Sequence, residues 1–252
     1  MISVIILTKN SETYLKDVLA SCTSFSEVLV YDGGSTDQTV KIAECFNNVK
    51  ICKAAFIGTE GRLHYGPYRN AAAKEASHDW VLMLDSDECL SPELADEIQR
   101  LTLNPTCIYA FPRKNYFNGK WIKGCGWFPD HVIRLYNRMN TSYTNDYVHE
   151  RVISNNMKLI YLKHPLIHYS YSSVADFLSK MQLYSELFAE QQCGKKRASC
   201  FKALLHALFT FMKSYFLQKG IFLGFEGLFI SIYQANVVFY KYLKLAERNE
   251  NL

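Results

Sequence analysis

Residues 80–88 are WVLMLDSDE, five apolar residues followed by three acids around one serine. A run this short and this apolar predicts a β-strand buried on both faces, as in a parallel sheet that helices cover. Residues 28–32, VLVYD, repeat the pattern of an apolar run that ends in an acid. In such sheets ligands bind beyond the carboxyl ends of the strands, so both acidic ends are predicted to lie at a binding site.

Outward from these two strands, the first 85 residues alternate between strand and helix patterns. The predicted strands are residues 2–7, 28–31, 49–51 and 80–84. One helix is predicted after an N-cap at Ser11, a second over residues 37–46 with Ser35 or Thr36 as its cap, and a third over residues 67–76. This alternation predicts an α/β fold with a mostly parallel central sheet and helices on both faces.

The second half of the chain combines further strands with a long helical segment. A helix opens at Ser91, strands are predicted at residues 107–111, 132–136 and 151–153, and Asn118-Gly119 predicts a hairpin between residues 115–117 and 120–122. From residue 174 onward the pattern is helical. We therefore expect one α/β domain over residues 1–172 and a helical C-terminal extension over residues 173–252.

The composition is that of a globular protein, because 49% of the residues are hydrophobic and 21% are charged. The eight cysteines form no C-x-x-C pair, and the first strand follows the initial methionine directly. We expect no signal peptide and a reducing, cytoplasmic location.

The charge is distributed unevenly along the chain. Residues 195–252 contain nine Lys/Arg and three Glu, a net charge of +6, whereas the whole chain carries +4. The same segment holds 12 Phe/Tyr, and basic aromatic helices suit an anionic membrane better than nucleic acid. We predict that residues 195–245 dock at the inner face of the cytoplasmic membrane without a spanning helix. The alternative is that these helices pack on the rest of the chain or on a second copy in a homo-oligomer.

Asp85 and Asp87 alternate along an extended backbone, so their carboxylates point to the same side and can share a hard cation such as Mn²⁺ or Mg²⁺. A cation held in this way usually binds a diphosphate. The chain contains neither a G-x-x-x-x-G-K-[ST] phosphate loop nor a complete G-x-G-x-x-G, which favours a metal as the phosphate ligand. The alternative is that two acids at a strand end only solvate a loop.

Several stretches resemble family 2 glycosyltransferases, which have the Rossmann-like GT-A fold: ISVIILTKN at residues 2–10, VLVYDGGSTDQT at 28–39, Arg69-Asn70, and VLMLDSDE at 81–88. Residues 126–135 and 148–150 resemble the subgroup that adds glucose to the inner core of bacterial lipopolysaccharide. The resemblance implies inverting, metal-dependent transfer of a hexose, glucose from UDP-glucose, to a heptose of a lipid-linked saccharide. It also implies a nucleotide-binding half over residues 1–90 and an acceptor half over residues 91–172.

The resemblance assigns the UDP-sugar to a set of residues in the first half: Thr8, Asn10, Asp32, Arg69 and Asp85. Thr8 and Asn10 would line the base, and Asp32 would accept a hydrogen bond from the uracil ring or the ribose. Typical members carry a second acid where this chain has Gly33. Asp32 alternatively forms an Asx turn, and Arg69 alternatively lies on the surface of an Ala-rich helix.

Direct transfer with inversion needs one general base that takes the proton from the acceptor hydroxyl. Asp130 is the candidate, because it follows an aromatic and proline wall at residues 127–129 and because the corresponding acid of the family precedes an Arg-Leu pair, here at residues 134–135. Trp127 and Arg134 are the candidate acceptor-binding residues. Asp130 alternatively forms a structural pair with Arg134, and Glu150 is the rival base.

The metal would be held by Asp87 together with a downstream histidine. In related enzymes such a histidine completes the metal or diphosphate site, and His149 and His168 are the two candidates. For each, the alternative is an ordinary packed or half-exposed histidine. The resemblance therefore implies Mn²⁺ or Mg²⁺ as the cofactor.

Two other function classes are compatible with an acidic nucleotide site. A metal-dependent sugar nucleotidyltransferase would need a glycine-rich triphosphate loop, and no such loop is found in the sequence. A non-catalytic, membrane-associated protein that binds nucleotide sugars would not need both Asp85 and Asp87.

Overall fold

The computed structural model of the 252-residue chain describes residues 1–54, 58–59, 62–146, 150–171 and 173–250. The chain divides into two compact units. Unit 1 consists of Met1–Arg113 and Asp130–Tyr169, and unit 2 of Lys114–Pro129 and Ser170–Leu252. The predicted boundary at residue 172 stays a proposal, since the second unit also takes in residues 114–129.

The first half of unit 1 alternates strands and helices around a parallel sheet. Its elements are β1 (Ile2–Thr8), α1 (Leu15–Ser21), β2 (Glu27–Asp32), α2 (Thr39–Glu44), β3 (Val49–Lys53), β4 (Gly58–Thr59), β5 (Arg62–Leu63), α3 (Tyr65–Lys74) and β6 (Trp80–Asp85). β3, β2, β1 and β6 lie side by side in this order and run parallel. Every residue of β1 is buried, as a central strand covered on both faces requires. The predicted α/β arrangement is confirmed.

The helix that follows β1 begins later than predicted. α1 starts only after an N-cap at Tyr14, and the Ser11 hydroxyl instead accepts a hydrogen bond from the amide of Lys9. The predicted cap at Ser11 is therefore wrong, because this serine closes the loop at the end of β1. The apolar stripe of the helix is nevertheless buried as its spacing predicts.

The second half of unit 1 adds strands of both directions to the parallel sheet. Its elements are β7 (Glu88–Leu90), α4 (Pro92–Gln99), β8 (Cys107–Phe117), β10 (His131–Asn137), β11 (Lys158–Tyr161) and β12 (Leu166–Tyr171), with β9 (Lys120–Trp121) in unit 2. β10 runs antiparallel to both β6 and β8, β11 runs parallel to β8, and β12 runs antiparallel to β7. The strand predicted at residues 151–153 is wrong, since only a single bridge joins Val152 to Tyr143 there.

Unit 2 begins with the predicted hairpin. The end of β8 pairs with β9 through Tyr116 and Trp121, and Asn118 and Gly119 have positive φ angles of 50° and 70° in the turn. Both residue types tolerate this left-handed conformation, which is why their dipeptide predicts the turn.

From Val174 onward unit 2 is helical, as predicted. This part consists of α5 (Val174–Gln192), α6 (Cys200–Met212), a π-helical turn (Lys213–Leu217), a 3₁₀ turn (Gly220–Leu223) and α7 (Gly224–Glu250). A small core of this unit contains Phe117, Ile122, Cys125, Phe177 and Ile230. Gly220–Glu250 is long and apolar enough to cross a membrane by length and composition, a test that core helices of soluble proteins also pass.

Candidate active site

The two acidic strand ends lie on either side of β1. In the register of the sheet Thr8 is the partner of Asp32 in β2, and Leu7 is the partner of Asp85 in β6. The three strands are parallel, so their carboxyl ends meet at one edge of the sheet. The prediction that both acids lie at one edge of the sheet is therefore confirmed.

Asp32 is buried and closes the loop that follows β2. One carboxylate oxygen accepts hydrogen bonds from the amides of Gly34 and Ser35, at 3.1 and 2.9 Å, and the other accepts from the Ser35 hydroxyl. The Asx turn considered for Asp32 is thus present. Its contact with the uracil ring or the ribose stays a prediction.

Thr8 and Asn10 stabilise the loop after β2 through hydrogen bonds. The Thr8 hydroxyl is buried and donates to Asp32 at 3.1 Å, and the Asn10 side-chain oxygen accepts from the amide of Thr36 at 2.8 Å. Since α2 begins only at Thr39, the expected helix cap at Ser35 or Thr36 is wrong. The contact of Thr8 and Asn10 with a nucleotide base stays a prediction.

The absence of a side chain at Gly33 allows the hydroxyl of Tyr68 to approach the backbone closely. A Cβ atom at this position would lie 3.0 Å from the Tyr68 hydroxyl and 3.4 Å from the Thr8 carbonyl oxygen. Tyr68 is buried, and burial together with Tyr31 and Asp32 raises its pKa to about 12, so it remains a neutral hydroxyl. The acid that typical family members carry here would crowd this hydroxyl.

Asp85 is held by two buried arginines. Its carboxylate accepts a hydrogen bond from Arg69 at 2.6 Å and another from Arg134. Burial would raise the pKa of Asp85, but Arg134 and Arg69 hold it well below its ordinary value. The alternative that Arg69 is a surface side chain is wrong, since it is 5% exposed. One guanidinium nitrogen of Arg69, Nη1, is buried without a hydrogen-bond partner among the described residues.

Glu88 joins this arrangement to a third arginine. Its side chain is fully buried, and one oxygen accepts from Arg134 at 2.7 Å and from Arg113 at 3.0 Å, while the other accepts from the Asp85 amide at 3.1 Å. Burial would raise the pKa of Glu88, but Arg134 and Arg113 lower it below its ordinary value. Glu88 is therefore an ionised acid between two guanidinium groups.

The candidate base Asp130 is positioned by Arg113. Both Nε and Nη2 of Arg113 lie 2.8 Å from one carboxylate oxygen of Asp130, and the Arg113 amide donates to the Asp130 carbonyl at 2.6 Å. The predicted structural pair with Arg134 is replaced by this one, since Arg134 donates to Asp85 and Glu88. Asp130 remains about 29% exposed, as a group that must reach an acceptor hydroxyl requires.

The other predicted catalytic and acceptor residues have firm structural partners. Glu150 lies 3.4 Å from Nε of Arg69, so it belongs to the same charged network. Arg134 is buried between two carboxylates, which favours a role in holding the acids over direct contact with an acceptor. In unit 2, the Trp127 ring packs 5.6 Å from Tyr171 and 6.2 Å from Phe177.

Asp87 and His168 are the residues that fit a divalent metal. Oδ2 of Asp87 lies 3.5 Å from Nε2 of His168, and the two side chains are 32% and 15% exposed. A carboxylate oxygen and an imidazole nitrogen at this separation can bind one ion. The described part of the chain contains no group of three His, Cys, Asp or Glu side chains arranged around a metal, so the diphosphate and water would supply the other ligands. The second candidate, His149, lies outside the described residues.

Arg113 is a site residue that the sequence patterns did not predict. They also did not predict that Glu88 lies between Arg113 and Arg134. Arg113 lies within a strand that carries no motif, and its partners Glu88 and Asp130 are 25 and 17 residues away. The available signal was Glu88 itself, an acid directly after Asp85-x-Asp87, because a third carboxylate at one strand end needs positive partners.

The comparison with known families agrees with this geometry. Residues 3–188 match the family described as Glycosyl transferase family 2. The chain belongs to this family. The resemblance drawn from the sequence is thereby confirmed, and with it the GT-A type of α/β fold and the glycosyltransferase class of enzyme. The nucleotidyltransferase alternative is not supported.

Relatives of this family 2 glycosyltransferase extend along its whole length. An uncharacterized glycosyltransferase of Rickettsia typhi is 30% identical over 99% of this chain and 87% of its own length. The lipopolysaccharide core biosynthesis glycosyltransferase LpsC of Rhizobium meliloti is 24% identical over 98% of this chain and 93% of its own. Among solved structures, residues 1–349 of Staphylococcus aureus TarS in complex with UDP-GlcNAc superpose with a TM-score of 0.48 at 17% identity, covering 98% and 89% of the two chains.

Proposed function

We propose that this family 2 glycosyltransferase transfers glucose from UDP-glucose, with inversion, to a heptose in the inner core of a lipopolysaccharide. The observation that carries the proposal is the arrangement at the carboxyl end of β6, where Asp87 faces His168 and Asp130 is fixed by Arg113. A metal-binding pair and a positioned carboxylate in one unit are the parts that inverting transfer from a nucleotide sugar needs.

The metal of the proposed reaction is Mn²⁺ or Mg²⁺, held by Asp87 and His168. Bound there, it would neutralise charge on the leaving nucleoside diphosphate. Asp85 acts differently from Asp87 in this proposal, since two arginines already occupy its carboxylate. Asp85 therefore orients Arg69, whose unpartnered buried nitrogen is a donor available to a phosphate oxygen once the site rearranges around its ligand.

The base of the proposed reaction is Asp130. Its carboxylate accepts the proton of the acceptor hydroxyl as the oxygen attacks the anomeric carbon from the face opposite UDP. Arg113 restricts the rotation of this carboxylate through two contacts to the same oxygen. Glu150 is the less suited of the two acids because its side chain is less exposed, at 18% compared with 29% for Asp130.

The acceptor part of the proposal is supported by the name of one relative. LpsC of Rhizobium meliloti, which matches nearly all of this chain, is a lipopolysaccharide core biosynthesis glycosyltransferase. A lipid-linked core acceptor would place the enzyme at the inner face of the cytoplasmic membrane, with residues 195–245 as the docking segment. Family membership alone covers the transfer reaction and leaves the sugar and the acceptor to experiment.

Release of UDP from a panel of UDP-sugars, with and without Mn²⁺, tests the donor and the metal. We expect metal-dependent release from UDP-glucose by the full chain, lost in Asp87→Ala and retained in Asp96→Ala, a control acid that is 73% exposed on α4. Release from another UDP-sugar alone would overturn glucose as the donor. Absence of release from every donor, with a heptose-terminated core acceptor present, would favour the non-catalytic binding protein.

A truncated core acceptor tests the acceptor sugar. We expect transfer to a core oligosaccharide that ends in heptose and no transfer to one that lacks heptose. Equal transfer to both would overturn the heptose assignment while leaving the glycosyltransferase class intact.

A further inference from the structure

Helix α6 presents its apolar side to solvent. Its large side chains on that side are between 47% and 70% exposed: Phe201, Leu204, Leu205, Leu208, Phe209 and Met212. Its one fully buried residue is Ala203. An amphipathic helix of a soluble monomer has the reverse orientation, because burial of the leucines and phenylalanines is what stabilises it.

The side of α6 that packs on the protein carries small residues, with Ala203 fully buried, and the polar side chains lie beside this contact. The His206 ring stacks on Tyr242 of α7, with centroids 4.8 Å apart, and the Lys202 amine lies 5.6 Å from the same ring. Just after the helix, Ser214 is buried and hydrogen-bonds to Ser231 of α7 at 2.9 Å. The contacts of α6 with α7 are thus made by small and polar residues, so the exposed apolar side is a fixed feature of how unit 2 folds.

The turns between α6 and α7, together with the first residues of α7, extend the apolar surface. Phe216, Leu217, Ile221, Phe222 and Phe225 are all exposed, with Leu217 at 76% and Phe222 at 82%. The turns are held tightly, since a Cβ atom on Gly227 would lie 1.9 Å from the Gly220 carbonyl oxygen. Soluble monomers rarely expose a contiguous apolar patch of this kind, which marks an interaction surface.

The charges around this surface identify its partner. Residues 195–225 contain six Lys/Arg and no Asp or Glu. The first acid after them, Glu226, is buried and paired with Lys120. A second copy of the chain would place the same positive charges against each other in a two-fold interface. An anionic lipid surface satisfies both the charge and the apolar side chains.

We infer that α6 and the turns that follow it, Cys200–Phe225, lie in the headgroup region of an anionic bilayer with their apolar side toward the acyl chains. The inference deepens the proposed function, which requires a lipid-linked acceptor, by naming the surface that meets the lipid. The docking segment of residues 195–245 is thereby narrowed, and the part of α7 beyond Phe225 lies outside the bilayer. Its C-terminal half packs on α5, where Lys244 and Arg248 pair with Glu186, and a spanning α7 would have to break these contacts.

Co-sedimentation of the full chain with phosphatidylglycerol-containing vesicles tests the surface. We expect Leu208→Glu to weaken partitioning by about tenfold or more, because it replaces an apolar contact by a charge. The matched control is Leu178→Glu on α5, where the leucine is 55% exposed compared with 57% for Leu208. Equal loss in both variants, or no loss in Leu208→Glu, would overturn the assignment to α6.

The charge contribution is tested with Lys213→Gln. We expect Lys213→Gln to bind anionic vesicles about fivefold more weakly than the wild type. On phosphatidylcholine vesicles the two should bind equally. The control variant Lys158→Gln on β11 should bind anionic vesicles as the wild type does. Donor hydrolysis by each variant in solution should equal that of the wild type, which separates failure of docking from failure of the proposed reaction. The opposite result is a wild-type chain that fails to bind anionic vesicles and forms a dimer that Leu208→Glu disrupts. This result would overturn membrane docking and assign the surface to contact with a second copy.

Discussion

The carboxyl end of β6 and the surface of α6 depart from the usual distribution of residues in opposite directions. At β6, the buried side chains of Glu88, Arg69 and Arg134 are charged, and at α6 the exposed side chains are leucine and phenylalanine. The charges near β6 are satisfied within unit 1, because Asp85 and Glu88 each meet an arginine. The apolar side chains of α6 stay exposed among the residues that the structure describes. The buried charges near β6 form the candidate active site, whereas the exposed apolar side chains of α6 need a binding partner to cover them.

The largest expected effect tests whether the charged network serves catalysis. Asp130→Asn keeps the shape of the side chain but removes the proton acceptor, so we expect turnover to fall by about 10²- to 10⁴-fold while UDP binding is retained. Initial rates with donor and acceptor, together with calorimetric UDP binding, measure the two effects. Glu150→Gln is the comparison variant, and a larger loss there than in Asp130→Asn would reassign the base.

A second prediction concerns the stability that the network contributes. Glu88→Gln leaves Arg134 and Arg113 without their shared counter-charge, and we expect the free energy of unfolding to fall by about 3 kcal/mol. Urea unfolding measures this change. The control is Glu93→Gln on α4, an exposed glutamate for which we expect no more than about 0.5 kcal/mol. A neutral Glu88→Gln would show that the ion pairs are balanced by their cost of desolvation.

The same acids predict the dependence of stability on pH. Because the folded-state pKa values of Asp85 and Glu88 lie below their ordinary values, the ionised forms favour folding. Their contribution is complete above the unfolded pKa of about 4 and is lost as the pH falls below it. We expect urea midpoints to fall in this range, and to fall less steeply for Glu88→Gln. A midpoint independent of pH down to about 3 would contradict the assignment.

The smallest expected effect sharpens the contrast with α6. Leu208 contributes little to the core because it is 57% exposed, so Leu208→Glu should change the free energy of unfolding by no more than about 0.5 kcal/mol. It should also raise the solubility of the chain in the absence of lipid. If the free energy of unfolding instead fell by several kcal/mol, Leu208 would have to be buried in solution, in an interface with a second copy of the chain.

Part of the fold and site followed from local patterns. The apolar runs ending in Asp32 and Asp85 predicted parallel strands and the edge at which their acids meet, and the residues around them predicted the family. The predicted caps at Ser11 and at Ser35 or Thr36 failed, because these side chains hydrogen-bond within the loops after β1 and β2 instead of opening a helix. Short hydroxyl side chains serve either purpose, and the sequence does not distinguish them.

The α/β order, the Asp85-x-Asp87 pattern and the two-sided character of α6 can be read from the amino-acid sequence, because strand and helix periodicities are local properties of the chain. The pairing of each arginine with its acid, and the side of α6 that faces inward, depend on contacts between segments that are distant in sequence. Arg113 reaches Glu88 and Asp130 through strands that are distant in sequence, and Asp87 meets His168 through the pairing of β7 with β12. Periodicity defines the two sides of a helix, but the neighbour that packs against it, here Tyr242 of α7, selects the side that is buried.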